Sequence, residues 1–444
     1  MFWNTGITRA NTNKLLLLSG IMFSAMLLPS LEIRSSLPRV RLDDALIFGA
    51  FAINLLLRIT RRTRDYAFDY GSYLGGERRG LREVRKVFLL FLGSIVISNL
   101  FAVLFLAGSI GLRDIMEGVT LLKYYLIITL TLSLDLQGSE FEILRNTFLV
   151  CLGVILILSW GQFLNIANVN AWLTPFFAQS HLDNLVNANP PRVLGTFDNP
   201  NVMGITSVMM MSLFVTWFYF RKNDRIQAVI LFIAIALTIK LTFMTISRTA
   251  LLATAAVLVF LSVWATFKFN WNKGVLLKIF VLLLLTLTLF FTSPRDFVSR
   301  MNEATNLEES SSAQGHFIRA GNAFEEIKLS PILGWGTAKD TMTTLVDDEY
   351  ALVTRRYGVI GLAIYLWLFL RPAKGALRRI RSFNFYGFEP GMREDKTLLA
   401  IAFVASTLAI FVYNITAGTF YNLQLMTLVS LFMGIIYRIE GEND

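Results

Sequence analysis

The chain has 444 residues, with 41 Lys and Arg against 31 Asp and Glu, a formal charge of +10 with both histidines neutral. Hydrophobic residues make up 55% and charged residues 16%, against about 45–50% and ~25% in soluble globular proteins. That balance excludes a disordered chain, which needs few apolar residues and many charges, and argues against an array of soluble domains. At ~20 residues per crossing, a dozen membrane spans use roughly 240 positions, about what this composition supplies. The reading is therefore an all-α polytopic membrane protein, a single integral membrane domain over 1–444. Its basic excess is assigned to the positive-inside bias of cytoplasmic loops and not to nucleic acid. Cys151, the only cysteine, stands in an apolar run, so neither an intrachain disulfide nor a Cys-based zinc site is available.

Twelve apolar stretches are expected as membrane helices, near 15–31, 43–58, 87–107, 118–135, 146–165, 201–220, 226–244, 249–266, 275–292, 357–371, 397–413 and 418–437. The first has no small-residue cleavage pattern after it and reads as a retained helix. Charge bias orients the set. The loop at 58–86 holds nine basic and four acidic residues, and that at 371–396 holds seven and three. Arg221, Lys222 and Arg225 fill a third loop, and Lys268 and Lys273 mark a fourth. All four follow even-numbered spans, which puts both termini in the cytoplasm. The connection at 136–145 runs against this pattern, with Glu140 and Glu142 beside Arg145.

This topology leaves two long outer segments, 166–200 and 293–356. In the first, Trp172, Leu173, Phe176 and Phe177 are spaced for one face of an interfacial helix. In the second, HFIRAGNAFEEI predicts an amphipathic helix with Phe317, Ala320 and Phe324 on one side, and SPILGWG follows as a turn. The two histidines, His181 and His316, both fall in these segments and read as ordinary loop or surface residues.

Three stretches carry candidate chemistry. In PPRVLGTFDNPNVMG (190–204), Arg192 precedes a span that DNPN opens with a turn and an N-cap. An arginine beside a helix N-terminus at a membrane surface suits an anion; the alternative is that Arg192 snorkels to lipid phosphate. In ISRTALLA (246–253), Arg248 sits in the short turn between spans seven and eight and is expected on the same face as Arg192. Lys240 lies about one turn, ~6 Å, further in, and Lys123 is expected at a similar depth. Ionisable residues inside spans are costly and point to function, although each lysine alone can snorkel. Together the four cations suit a polyanion whose other end stays in lipid, such as a lipid-linked diphosphate. In VDDEYALVTRRYGVIG (346–361), Asp347 and Asp348 precede span ten, with Glu349 next. Neighbouring carboxylates raise one another's pKa, which suits a general base or a metal-binding site; the alternative is a plain acidic helix cap. Arg319 is either a helix-surface charge or a substrate clamp, and Tyr350 is either a sugar-positioning or an interfacial aromatic residue.

These stretches, in this order, resemble the bacterial O-antigen polymerase and O-antigen ligase superfamily. The matching pieces are R-x-x-G-x-F-x-N-P-N from Arg192 to Asn201, S-R-x-A from Ser247 to Ala250, Arg319 ahead of SPILGWG at 330–336, and the acidic-to-GVIG stretch at 347–361. They cover roughly the second half of the chain. The resemblance implies a GT-C-like helical fold and a glycosyltransferase of the bacterial inner membrane, with its active site on the periplasmic side and no metal or other cofactor. The implied donor is a glycan on undecaprenyl diphosphate, and Arg192, Arg248 and Arg319 would hold the departing diphosphate. Lys240 and Lys123 would add positive charge at the substrate, and Asp347 or Asp348 would take the acceptor's proton. Ligases usually carry a His-Asn pair eleven residues before the first glycine of G-x-x-G; counting back from Gly358 gives Asp347, with Asp348 at the Asn position. The acidic pair favours an inverting polymerase acting on a lipid-linked acceptor. The alternatives are a ligase using lipid A-core and a lipid-oligosaccharide transporter. Membrane lipids and a chain-length regulator are the candidate partners.

Overall fold

The computed structural model describes residues 9–28, 41–59, 79–106, 108–134, 136, 138–174, 192–197, 199–292, 311–339, 346–383 and 392–441. Among them lie fourteen α-helices and no strand. In chain order these are α1 (Arg9–Leu27), α2 (Leu42–Ile59), α3 (Arg79–Phe105), α4 (Leu112–Leu132), α5 (Ser139–Leu164), α6 (Val169–Leu173) and α7 (Pro200–Phe220). There follow α8 (Arg225–Met244), α9 (Arg248–Lys268), α10 (Lys273–Phe291), α11 (Ser311–Leu329), α12 (Glu349–Ser382), α13 (Met392–Tyr413) and α14 (Leu423–Glu440). Each of the twelve expected spans falls on one helix, and α6 and α11 are the additional two. Ten of the fourteen are long and apolar enough to cross a membrane. The helices α1 and α2 fall short of that measure because α1 opens on Arg9, Asn11, Asn13 and Lys14, and α2 carries Asp43, Asp44 and Arg58. The chain is an all-α polytopic membrane protein.

The centre of the bundle is α7, almost every residue of which is buried. It packs against α8, α9 and α13, while α14 packs on α4, α12 on α13 and α3, and α1 on α5 and α2. Where α7, α8 and α9 converge, small residues set the spacing. A Cβ on Gly204 would lie 2.8 Å from the Ala250 Cβ, and Ser207 and Thr242 share a 2.6 Å hydroxyl bond one turn further along. Close backbone approach through small and hydroxyl residues is how helices associate where lipid offers no hydrophobic driving force.

The helix ends divide into two sets. At one end Asp395 receives Arg145 at 2.5 Å and Arg221 at 3.3 Å, joining α5, α7 and α13. At the same end Glu440 receives Arg371 at 3.0 Å. The other end holds the starts of α7, α9, α12 and α14, each capped by a side chain: Asn199, Ser247, Asp348 and Asn422. Such caps satisfy amide groups that would otherwise be stranded near lipid.

The helix α12 starts eight residues before the expected 357 and runs to 382, beyond the expected 371, as two segments that meet at Gly358 (φ 66°, ψ −172°). The turn at 330–336 fills this break. Trp335 N donates to the Arg355 carbonyl at 2.9 Å, Gly336 N to the Arg356 carbonyl at 2.8 Å, and Val359 N to the Pro331 carbonyl at 2.9 Å. Broken backbone inside a membrane bundle persists only where protein supplies such partners. The break also requires glycine, because a Cβ on Gly358 would overlap the Ile332 carbonyl.

The expected amphipathic helix is present as α11, but with a different buried face. Ala320 and Phe324 are exposed, whereas Ala323 is fully buried and Glu326 and Ile327 partly so. The reason is the turn that follows: Trp335 Nε1 donates to the Glu326 carbonyl, and Arg355 pairs with the Glu326 carboxylate, so this face turns toward α12. The side chains of His316 and Phe317 lie outside the described residues, as do Phe176, Phe177, His181, Pro190, Pro191, Asp198 and 293–310. Trp172, in α6, is exposed.

Gly358→Ala is expected to lower thermal stability in detergent sharply: left-handed strain alone costs on the order of 1–3 kcal/mol, and the clash adds to it. Ala in place of Gly153, which has open space for a Cβ, is the matched control and is expected to leave the melt unchanged.

Candidate functional site

Arg192 is held by elements that converge on the capped end of the bundle. Gln162 of α5 grips the extended stretch that follows it: Oε1 accepts from Leu194 N at 3.2 Å and Gly195 N at 2.7 Å, and Nε2 donates to the Gly195 carbonyl at 3.0 Å. Arg192 then donates from Nε to the Thr245 carbonyl at 2.9 Å and from Nη2 to Asn201 Oδ1 at 2.8 Å. Thr245 begins the three-residue turn between α8 and α9, so Arg192 contacts the chain three residues before Arg248, the first residue of α9. Ile246 within that turn has φ 51°, an unfavourable conformation for a β-branched residue. Sites of function often hold such strain.

From Arg248 the contacts continue sideways. Thr249 and Thr416 share a hydroxyl bond that joins the start of α9 to the α13–α14 loop. In that loop Gly418 leaves room for the carboxylate of Glu349, and Glu349 N donates to the Asn414 carbonyl at 3.0 Å. Asp348 is the N-cap of α12: its Oδ1 accepts from Tyr350 N at 2.7 Å and Ala351 N at 3.1 Å. Both bonds fall on Oδ1, so Oδ2 takes no part in the cap. Burial pushes the Asp348 carboxyl above the usual carboxylate range, against the lowering effect of the two amides. Asp347 lies in an ion pair, Oδ2 2.8 Å from Arg319 Nε, with each side chain 34% exposed.

A chain of contacts thus links the segments that carry Arg192, Arg248 and Asp348, and Asp347 pairs with Arg319. Tyr350 is placed differently from the expected sugar contact. Its hydroxyl donates to the Phe411 carbonyl at 2.7 Å and ties α12 to α13. Lys240 points to the end of α10, with Nζ 3.4 Å from the Thr292 carbonyl. Lys123 does not lie at the depth expected. The helix α4 begins at 112, not 118, which puts Lys123 eleven residues inside it. There its ammonium is enclosed by Asp43 at 2.6 Å and Asp44 at 2.5 Å, and Arg41 pairs with Asp43 at 3.0 Å. Its charge is committed to holding α2 on α4.

Two features escaped the sequence reading. Glu349 is fully buried directly behind Asp348, its carboxylate lying against Gly418 and the Thr419 backbone amide. Glu117 is almost fully buried and gathers Lys339 at 3.0 Å, Arg356 at 3.1 Å, Tyr421 Oη at 2.9 Å and the hydroxyl of Tyr357. Arg356 also stacks over the Tyr421 ring at 4.7 Å. The available signal was the tandem Arg355–Arg356 ahead of GVIG, a pair of cations in an otherwise apolar run that demands buried partners.

No family model and no curated protein sequence matches the chain.

Lys123→Met should test its structural placement. Breaking a buried ion pair from one side costs about 3–5 kcal/mol, so the single variant is expected to melt well below the parent. Pairing it with Asp43→Leu should recover much of the loss. A normal melt for Lys123→Met would contradict the placement.

Proposed function

We propose that the chain is a membrane-embedded glycosyltransferase of the O-antigen polymerase type. It would move a glycan from undecaprenyl diphosphate to a sugar hydroxyl of a lipid-linked acceptor, at the periplasmic side of a bacterial inner membrane. What supports the reading is that the segments carrying two arginines and a carboxylate with a raised pKa, far apart in the chain, are linked at one end of a membrane bundle through the Arg192–Thr245 and Thr249–Thr416 contacts.

The chemistry follows from the groups present. The acceptor hydroxyl oxygen attacks the anomeric carbon while its proton passes to Asp348 Oδ2. The bond from that carbon to the phosphate oxygen breaks, and its electron pair leaves with the diphosphate. Attack opposite the leaving group inverts the anomeric centre. The growing negative charge falls between Arg192 and Arg248, with the amide end of α9 behind them. Asp347 serves less well as base because Arg319 occupies it. Arg319 would become a third phosphate contact by exchanging that carboxylate for the diphosphate.

The test is polymer formation by purified protein from a defined lipid-linked oligosaccharide, with lipid A-core as a competing acceptor. Asp348→Asn and Arg248→Ala are each expected to reduce turnover by about 100-fold or more, the range for a general base or an oxyanion-stabilising group. The reading fails if both variants retain full activity, and transfer to lipid A-core alone would make the chain a ligase. The sign of the pH dependence is fixed by Asp348. The base works ionised, so activity falls as pH drops, and burial puts that fall above the ordinary carboxylate range. A pH–rate profile should show this acid limb, and Asp348→Asn should abolish it.

A further inference from the structure

At the end of the bundle opposite the candidate site, α3 and α12 run side by side in opposite directions. Lys86 Nζ lies 5.5 Å from the centre of the Trp367 ring. One turn further out, Glu83 lies 3.6 Å from Arg371. On α3 the exposed Arg82 and Lys86 share a face with the exposed Leu89 and Ile97, because residues three and four apart stack on one side of a helix. On α12 Trp367 shares a face with the exposed Lys374, Arg378 and Arg381 and, in the other direction, with the exposed Ile360. Cations from both helices therefore gather at one end of a seam, and apolar side chains continue along it. The adjoining acids, Glu83 and Glu440, are both engaged by the mostly buried Arg371.

We propose that the seam between α3 and α12 binds an anionic phospholipid, with its phosphate between Lys86 and Lys374 and its acyl chains against Leu89, Ile97 and Ile360. The apolar runs at 87–107 and 357–371 stop at the level of Lys86 and Trp367, which places this pair at the edge of the hydrocarbon, where lysine and tryptophan both anchor helices. Lys374 is seven residues beyond Trp367, about 10 Å along the helix, a gap that two extended lysine side chains close around one phosphate. Basic pockets between membrane helices select anionic head groups in this way. The occupant is a lipid because the apolar half of the seam lies at hydrocarbon depth, where neither an acidic protein nor a free phosphate reaches. Charge complementarity makes it an anionic lipid and not a zwitterionic one. A lipid held here braces α12, whose far end carries Asp348, against α3. The proposal stands on the seam alone and does not depend on the transferase reading.

The experiment uses the full chain in phosphatidylcholine nanodiscs doped with phosphatidylglycerol that carries a diazirine on one acyl chain. Photolabel is expected on peptides spanning 86–97 and 360–374. The double variant Lys86→Gln, Lys374→Gln is expected to cut that labelling at least fivefold. Both side chains are exposed, so its melt in phosphatidylcholine alone should stay close to the parent's. The control is Lys222→Gln, Lys273→Gln, which removes the same charge from exposed positions outside the seam and should leave labelling unchanged. Unlabelled phosphatidylglycerol should compete, whereas added phosphatidylcholine and soluble glycerol phosphate should not. Label spread evenly over exposed faces such as α10 in the parent protein would overturn the proposal without recourse to a variant. So would equal competition by phosphatidylcholine or glycerol phosphate, undiminished labelling of the seam double variant, or an equal loss in the control, which would reduce the effect to diffuse charge.

Discussion

The docking of the 330–336 turn into the break in α12 is the constraint on which the rest of this end of the molecule depends. A helix interrupted at membrane depth leaves amides and carbonyls that lipid cannot satisfy, and Pro331, Trp335 and Gly336 supply the partners. The turn in turn is anchored away from α12, where Asn99 Oδ1 accepts from Thr337 N at 2.7 Å and Asp114 Oδ1 from Lys339 N at 3.0 Å. Glu117 closes the assembly by drawing Lys339 and Arg356 to one carboxylate. The break sets the direction of the first segment of α12, which carries Asp348. The same turn sets the position of α11, which carries Arg319. The acidic side of the candidate site is therefore positioned by a network that contains none of its members.

The basic side is built independently. Gln162 and the small-residue contact of Gly204 with Ala250 bring the stretch after Arg192 against the α8–α9 turn. The two sides meet through Thr249 and Thr416. The α13–α14 loop thus joins a cationic half to an acidic half.

Much of this was legible in the residues, and the misreadings share one physical cause. All twelve apolar stretches correspond to helices, because an apolar run of that length has few other ways to satisfy its backbone. The starts of α4 and α12 lie six and eight residues before the expected 118 and 357. Both starts carry charges (Arg113, Asp114 and Glu117 in one, Glu349, Arg355 and Arg356 in the other) that look like loop residues to any hydropathy argument. In the folded chain Asp114, Glu117, Arg355 and Arg356 find protein partners, and the helix continues through them. Lys123 follows the same pattern: as an isolated lysine it suggests a ligand, but Asp43 and Asp44 arrive from a helix eighty residues earlier. The face of α11 turned on a hydrogen bond from Trp335, which periodicity within the helix does not encode. Arg192 reaches the turn that precedes Arg248, as its place in a short, capped turn suggests.

The central claim is that the start of α9 and the α13–α14 loop, on which the start of α12 rests, lie together at one face of the membrane, and the Thr249–Thr416 contact tests it most directly. In a Cys151→Ala background, a Thr249→Cys, Thr416→Cys pair should form a disulfide on mild oxidation. Before oxidation, both thiols should react with a membrane-impermeant reagent added from the same side. Failure to cross-link, with the two thiols reacting from opposite sides of the membrane, would contradict the account.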